Sequence, residues 1–132
     1  MALPVNHPLD EQTASADTQS IATTPLACVA IAPFRGKIVK ISGVAHGAFT
    51  TNCSIAVAII AAPVAGVAPG AGTAVGGSPF VLTAANSAAG TTNSFIPTSA
   101  NDVNEGDLIV FTPSGSTGTT IGGTFYAAIQ AF

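Results

Sequence analysis

Few side chains in this sequence are of the types that perform catalysis or hold a metal ion. The cysteines are Cys28 and Cys53, and the histidines are His7 and His46. Neither cysteine belongs to a CxxC pair or has a histidine at ligand spacing, so we expect no metal site. Catalysis by His46 needs a partner base or acid, yet no carboxylate lies near it in the sequence. We therefore predict a protein that is not an enzyme and has no cofactor, with His46 in a turn or an interface.

The two cysteines have two interpretations that the sequence leaves open. They are two buried thiols in a reducing compartment, or they form a disulfide with each other.

Two short motifs resemble ligand-binding loops without matching them. The segment GAGTAVGG (70–77) departs from GxGxxG because Val75 takes the place of the third glycine, and no helix follows it. The segment NDVNEGD (101–107) resembles a calcium loop, but counting from Asp102 its sixth and twelfth positions are Asp107 and Pro113. We interpret the first as a flexible loop and the second as a polar turn before a strand.

All the lysines and arginines lie within six residues, at Arg35, Lys37 and Lys40. Two roles fit such a cluster: docking on an acidic protein surface, or protection of an edge strand against unwanted strand pairing. Lys37 and Lys40 have opposite parity, so a regular strand would point them to opposite faces.

Charge is sparse elsewhere, since only 7% of the residues are charged and none lies between Ile41 and Asn101. Such a surface gives little electrostatic protection against self-association. It indicates a protein covered by other subunits, or a compact domain of small residues that tolerates this surface. The net charge of −3 and the absence of a broad basic patch exclude nucleic acid as the main partner.

We also expect no membrane partner. The start MALPVNHPLDEQ lacks the basic stretch and long apolar run of a secretory signal. The apolar segment 54–72 is interrupted by Pro63, Gly66 and Pro69, which makes it too short to span a bilayer and favours a strand.

The elements that position these residues are predicted to be an N-terminal arm, residues 1–20, and a single β-sandwich domain, residues 21–132. The arm either frays or lies across a neighbour, and residues 10–19 are candidates for a short helix formed on binding. Short β-rich runs broken by Gly, Pro, Asn and Ser follow, which is typical of an all-β sandwich or barrel. We predict strands at 21–32, 36–45, 54–62, 80–84, 92–96, 107–112 and 124–131, with a break or bulge at Pro25.

Two of these segments carry further expectations. In the strand at 54–62 both faces are apolar, so it lies under a loop or its outer face meets another subunit. The Gly/Ala/Pro-rich segment 61–79 is predicted to be a long loop, either mobile or in contact with a partner.

The order of motifs resembles that of the small jelly-roll decoration, or cement, proteins of tailed bacteriophage capsids. The resemblance runs from about residue 21 to the end and rests on PFRGKIVKI, SIAVAII, the Gly/Ala loop, VNEGDLIVFTPSG and the closing GGTFYAAIQAF. The EGDLIVF turn and last strand are also similar to those of trimeric jelly rolls of the complement and tumour-necrosis type. The fold implied is a jelly-roll-like antiparallel β-sandwich of seven to eight strands with an extended N-terminal arm.

The resemblance implies a structural virion protein, made in the host bacterial cytoplasm and bound to the outer capsid surface. Its partners would be the major capsid protein and further copies of itself, as a homotrimer rather than a homodimer. Candidate capsid or subunit contacts are Pro4, His7 and Asp10 in the arm, and Arg35, Lys37 and Lys40.

An alternative function is that of a β-sandwich binding module for a carbohydrate or receptor, as on a fibre or an adhesin. Sugar sites usually present exposed aromatic rings, and this chain has no Trp and one Tyr, Tyr126.

Overall fold

A computed structural model of the chain describes residues 11–132. Of the expected contact residues, Pro4, His7 and Asp10 lie outside the described residues. Within them the chain forms ten strands and a short 3-10 helix at Ser87–Ala89. The strands are β1 (Glu11–Thr18), β2 (Cys28–Ile31), β3 (Gly36–Ala45), β4 (Cys53–Ile60), β5 (Thr73–Ala74), β6 (Phe80–Leu82), β7 (Thr92–Phe95), β8 (Asp102–Val103), β9 (Leu108–Ser114) and β10 (Gly123–Ala131).

The strands form two antiparallel sheets that pack face to face. Sheet A has the order β1-β10-β3-β7, with β8 also paired to β3, and sheet B has the order β2-β9-β4-β5, with β6 also paired to β4. Strands β5 and β6 lie end to end along β4, and β7 and β8 lie end to end along β3, so each sheet is four strands wide. Along the sequence, the chain passes repeatedly from one sheet to the other. This is the jelly-roll arrangement, and it confirms the predicted all-β antiparallel sandwich.

The predicted arm is wrong for residues 11–18, which form edge strand β1. This strand pairs along its whole length with β10, from Glu11 opposite Gln130 to Thr18 opposite Gly123. Its buried residues are only Ala14, Ala16 and Thr18, and small side chains of this kind give little hydrophobic signal in the sequence. In the isolated chain residues 11–18 are thus a strand, and the helix considered for residues 10–19 on binding stays a prediction.

The predicted strand at 21–32 begins only at Cys28. Residues 21–27 form bends and coil around Pro25, because proline lacks the N–H that a sheet ladder requires. Thr18 Oγ1 holds this connection against the sheet by donating a hydrogen bond to the carbonyl of Leu26 at 2.8 Å.

Aromatic rings fill the space between the two sheets. The ring of Phe125 from sheet A stacks on that of Phe111 from sheet B, with 5.3 Å between centroids and 15° between planes. Phe80 meets Phe125 edge to face at 6.5 Å. On the inner side of β3, Gly43 lets the Phe125 ring approach the backbone, since an added Cβ there would lie 2.7 Å from Phe125 Cδ1. The two sheets are thus joined by a contact that spans the core.

Cys28 and Cys53 are both buried and both free, so the structure shows two thiols and no disulfide. Burial in the apolar core, with a smaller effect from the negative charge of Asp17, raises the pKa of Cys28 to about 11. Burial also raises the pKa of Cys53, and a backbone hydrogen bond at Ser114 opposes part of that rise. Both thiols are therefore held in the neutral, unreactive form.

We expect both thiols of the native protein to react slowly with Ellman's reagent at pH 8. A rise of two pKa units lowers the thiolate fraction about a hundredfold, so Cys28 should react about a hundredfold more slowly than in guanidinium-unfolded protein. Absorbance at the nitrothiobenzoate band measures both rates. Rapid reaction of two thiols in the native protein would contradict the burial of these residues.

The same pKa shift makes stability depend on alkaline pH. Below pH 9 both folded and unfolded states keep the thiol proton, and the contribution of Cys28 to stability is fully present. Between the unfolded pKa of 9.0 and the folded value of about 11, only the unfolded state loses the proton. The free energy of unfolding should then fall by about 1.4 kcal/mol per pH unit for this thiol.

Candidate functional site

Charged side chains are distributed unequally between the two sheets. Every charged residue that lies in a described strand belongs to sheet A, in β1, β3 or β8: Glu11, Asp17, Lys37, Lys40 and Asp102. The five strands of sheet B carry no charged residue. The two outer faces of the sandwich therefore differ in chemistry.

The outer face of sheet B is apolar across three strands. Ile31, Leu108 and Ile60 lie side by side in one cross-strand row, and the next row contains Val29, Val110 and Ala58. We call these six residues the apolar face. Ile31 is 64% exposed and Val29 is 46% exposed, whereas the alternate residues of the same strands are buried in the core. The predicted two-sided apolar strand is thus β4, and its outer side is part of this solvent-facing surface.

A loop of purely apolar residues continues the apolar face beyond the end of the sheet. It follows Ile60, occupies residues 61–72, contains only Ala, Gly, Pro and Val, and is exposed throughout. At its tip the N–H of Val67 donates to the carbonyl of Val64 at 3.0 Å, and Gly66 takes the left-handed φ of 78° that this turn requires. The predicted loop at 61–79 is correct for this part, while Thr73 and Ala74 form β5 and Val75 is buried.

The base of this loop is fixed by a buried carboxylate. Asp107 Oδ1 accepts a hydrogen bond from the N–H of Ala62 at 2.9 Å, and its Oδ2 accepts one from the N–H of Asn104 at 2.8 Å. Both oxygens thus bind backbone groups, as expected for a polar turn. Among residues 11–132, no three His, Cys, Asp or Glu side chains form a group able to hold a metal ion.

Arg35 lies at the same end of the sandwich as the apolar loop. Its guanidinium carbon is 5.2 Å from the centroid of the Phe132 ring, a cation–π contact with an exposed aromatic residue. The neighbouring turn is joined to the loop base through Asp107, whose carbonyl accepts a hydrogen bond from the N–H of Ala32 at 2.9 Å. Arg35 is thus the cation that the structure places near the charge-free loop.

The expectation that Lys37 and Lys40 point to opposite faces is wrong. They pair with Gln130 and Ala128, which lie on the same side of β10, because the register shifts between Ala128 and Ile129. The extra residue on β3 is Val39, and such a bulge resets the alternation of side chains. Both lysines therefore project from the outer face of sheet A.

Protection of an edge strand does not account for these lysines. Strand β3 lies inside sheet A, between β10 on one side and β7 and β8 on the other. Lys37 is directly opposite Asp102 of β8, and Lys40 is opposite Ala128 of β10. The inner position of β3 thus argues against edge protection, and docking on an acidic protein surface stays a prediction.

His46 forms part of a hydrogen-bonded chain that joins three strands. Its Nε2 lies 2.7 Å from Thr124 Oγ1, and that hydroxyl donates to Asp17 Oδ1 at 2.6 Å. Because the single hydroxyl proton of Thr124 goes to Asp17, the ring nitrogen must carry the proton that Thr124 accepts. The arrangement ties β1 to β10 and to the end of β3. Sequence spacing did not show it, because the three residues come from distant parts of the chain.

Comparison with protein families and with curated proteins identifies no relative of this chain. No protein-family model matches the sequence, and no curated protein is significantly similar to it. In the part of the chain that the structure describes, no helix is long and apolar enough to cross a membrane.

Proposed function

We propose that this chain is a structural virion protein that decorates and cements the outer surface of a phage capsid. In this role it bridges major capsid protein subunits, assembles with copies of itself and uses no catalysis. The observation that carries the proposal is the charge-free side of the sandwich, made of the apolar face and loop 61–72. The resemblance of the motif order to capsid decoration proteins supplies the biological setting.

The physical argument starts from the area of apolar surface left in water. Removing apolar surface from water is favourable by about 25 cal/mol per Å², and contiguous exposed apolar patches usually mark interaction sites. Here the patch has side chains from β2, β4 and β9 and lacks charged neighbours within sheet B. A protein surface that covers the apolar face would desolvate no charged side chain from the strands of sheet B. We infer that the occupants are another copy of the chain and the capsid protein.

A cementing role needs only modest affinity at each contact. Many copies bind to one lattice, and each bridges more than one subunit, so the effective concentration of neighbouring sites makes overall attachment much tighter than a single contact. Trimers place three such contacts in one particle, which favours a homotrimer over a homodimer in this proposal.

Arg35 and Lys37 provide the charged part of the proposed capsid contact. Complementary charge sets on-rate and register more than raw affinity. Both side chains are exposed, Arg35 at the end of the sandwich that carries the apolar loop and Lys37 on the outer face of sheet A. The double variant Arg35→Glu and Lys37→Glu is expected to bind capsids more weakly, by about tenfold at low salt, while its unfolding curve changes little. Capsids of the encoding phage, stripped of the native protein, are mixed with each variant, and occupancy is measured by densitometry.

A matched control for this variant is Thr13→Glu with Ser15→Glu, which adds negative charge on exposed positions of β1. Unchanged capsid occupancy of the Arg35/Lys37 variant, or an equal loss in the control, would contradict the role given to these cations. No binding of the unaltered protein to stripped capsids would overturn the proposed function itself.

A further inference from the structure

The outer face of sheet A contains a groove on the side of the sandwich opposite the apolar face. Its volume is about 450 Å³, and its walls come from β3, β7 and β10. The residues that matter for binding are Lys40, Ser42, Thr92, Ser94 and Tyr126.

The strand register explains why a groove forms here. Ser94, Ser42 and Tyr126 occupy one cross-strand row, so two short side chains lie beside one large ring. The bulge at Val39 turns Lys40 onto this same face. The short serines form the floor, and Tyr126 and Lys40 rise beside it. Without the bulge, the lysine would point into the core side of the sheet.

The polar groups of the groove are available for a ligand. In the part of the chain that the structure describes, the hydroxyls of Ser42, Thr92 and Ser94 are not engaged by any side-chain hydrogen bond. Asn93 differs, because its amide nitrogen donates to the carbonyl of Val81 at 2.8 Å and its oxygen accepts the N–H of Ser94 at 2.8 Å. Asn93 thus fixes the rim, and the three hydroxyls are left to solvent.

The remaining groups define the charge and shape of a ligand. Among residues 11–132, Lys40 is the cation that lines the groove, and no carboxylate lines it. The ring of Tyr126 is 37% exposed, and aromatic rings of this kind offer an apolar platform with a polar edge. Ligand sites combine such an apolar surface with a few placed polar groups. A matching ligand carries hydroxyls, an apolar ring face and a negative charge.

We propose that this groove binds an anionic carbohydrate. The carboxylate or phosphate of the sugar pairs with Lys40, its ring stacks on Tyr126, and its hydroxyls exchange hydrogen bonds with Ser42, Thr92 and Ser94. The proposal does not depend on capsid binding, because the isolated protein carries the whole groove. If the apolar face is covered, the groove still faces outward.

The experiment is an NMR titration of the ¹⁵N-labelled protein with three probes. These are an oligogalacturonate, a neutral galacto-oligosaccharide of the same length, and mannose 6-phosphate. We expect the acidic probes to shift the amide signals of β3, β7 and β10 around Ser42, Ser94 and Tyr126, and to bind more tightly than the neutral probe. Whichever of the two acidic probes has the lower dissociation constant shows whether the groove prefers a carboxylated or a phosphorylated sugar.

Four variants separate the contributions. Lys40→Gln should weaken the acidic probes about tenfold to a hundredfold and remove their advantage over the neutral one. Lys37→Gln removes the same charge from the same face but outside the groove. It should change the dissociation constant for the sugar by less than about twofold, which is less than the loss of a direct contact would cause. Tyr126→Ala should weaken all sugar binding, whereas Tyr126→Phe keeps the ring and should retain it.

Two results would overturn the inference. One is the absence of saturable shifts at the groove with all three probes while the spectrum shows a folded protein. The other is an equal response of the Lys40 and Lys37 variants, which would reduce the effect to general electrostatic attraction. Retained affinity in Tyr126→Ala would likewise exclude the stacking contact.

Discussion

The double variant Val29→Glu and Ile31→Glu is expected to remain folded and to lose self-association in solution. Both side chains belong to the apolar face and are exposed on edge strand β2, so glutamate at these positions is hydrated in the monomer. In an assembly that covers this face, each carboxylate would be buried without a partner, which costs several kcal/mol. The dissociation constant should therefore rise at least about a thousandfold, equivalent to about 4 kcal/mol.

The measurement is the molar mass of the purified protein by light scattering coupled to size exclusion. The unaltered chain should elute as a trimer or a dimer, and the double variant as a monomer with an unchanged far-UV circular dichroism spectrum. Thr13→Glu with Ser15→Glu is the matched control, since it places two glutamates at the same spacing on the exposed side of edge strand β1 in the other sheet. This control should keep the oligomeric mass.

Two outcomes would contradict the inference that other subunits cover the apolar face. A well-behaved monomer of the unaltered chain would show that the neutral surface needs no partner, which is the compact-domain interpretation of the sparse charge. Loss of assembly in both double variants would place the interface on sheet A or make it a general effect of charge.

The strands that could be predicted from sequence are those with a strong apolar alternation or a continuous apolar run. In the predicted strand 124–131, apolar Phe125, Ala127 and Ile129 alternate with other residues, and all three are fully buried in β10. The predicted strand at 54–62 was expected to be apolar on both sides, and this segment forms β4, Cys53–Ile60, inside sheet B. The alternation of apolar residues indicates the first strand, and the short continuous apolar run indicates the second.

The strands that the sequence did not predict lack such an apolar pattern. The inward side chains of β1 are two alanines and a threonine, which look like a polar linker in the sequence. The strands β5 and β8 have two residues each, so no periodicity exists to detect. They form because longer strands β4 and β3 offer them backbone partners, which is a consequence of the tertiary fold.

The candidate sites depend on relations between strands that are distant in sequence. The apolar face joins Val29, Val110 and Ala58 through the register of three strands. The groove joins Ser42, Ser94 and Tyr126 in the same way, and its lysine reaches that face only through the bulge at Val39. A bulge inserts one residue without a distinctive sequence, so the parity rule applied to a regular strand led to the wrong face for Lys40.

Phe125→Ala is expected to lower the free energy of unfolding by about 3–5 kcal/mol, the usual cost of removing a buried phenylalanine side chain. This is a large part of the roughly 5–15 kcal/mol that stabilises a domain. The ring is fully buried, stacks on Phe111 and meets Phe80 edge to face. Urea unfolding followed by far-UV circular dichroism measures the change.

The control is Phe132→Ala, which removes the same atoms from a residue that is 67% exposed. Its ring makes an exposed cation–π contact with the guanidinium of Arg35, so its loss should cost less than about 1 kcal/mol. Equal costs in the two variants would contradict the position of Phe125 between the sheets.

The free-energy cost of Phe125→Ala should lie toward the upper part of this range, because the cavity left by the ring cannot collapse. One wall of the cavity is the backbone of β3 at Gly43, where an added Cβ would lie 2.7 Å from Phe125 Cδ1. That backbone is held on both sides by strands β10 and β7, so it cannot move inward to fill the space. Cavity cost depends on such relaxation. A loss below about 2 kcal/mol would show that the two sheets can approach each other here, and that the jelly roll is less rigid at its centre than its register implies.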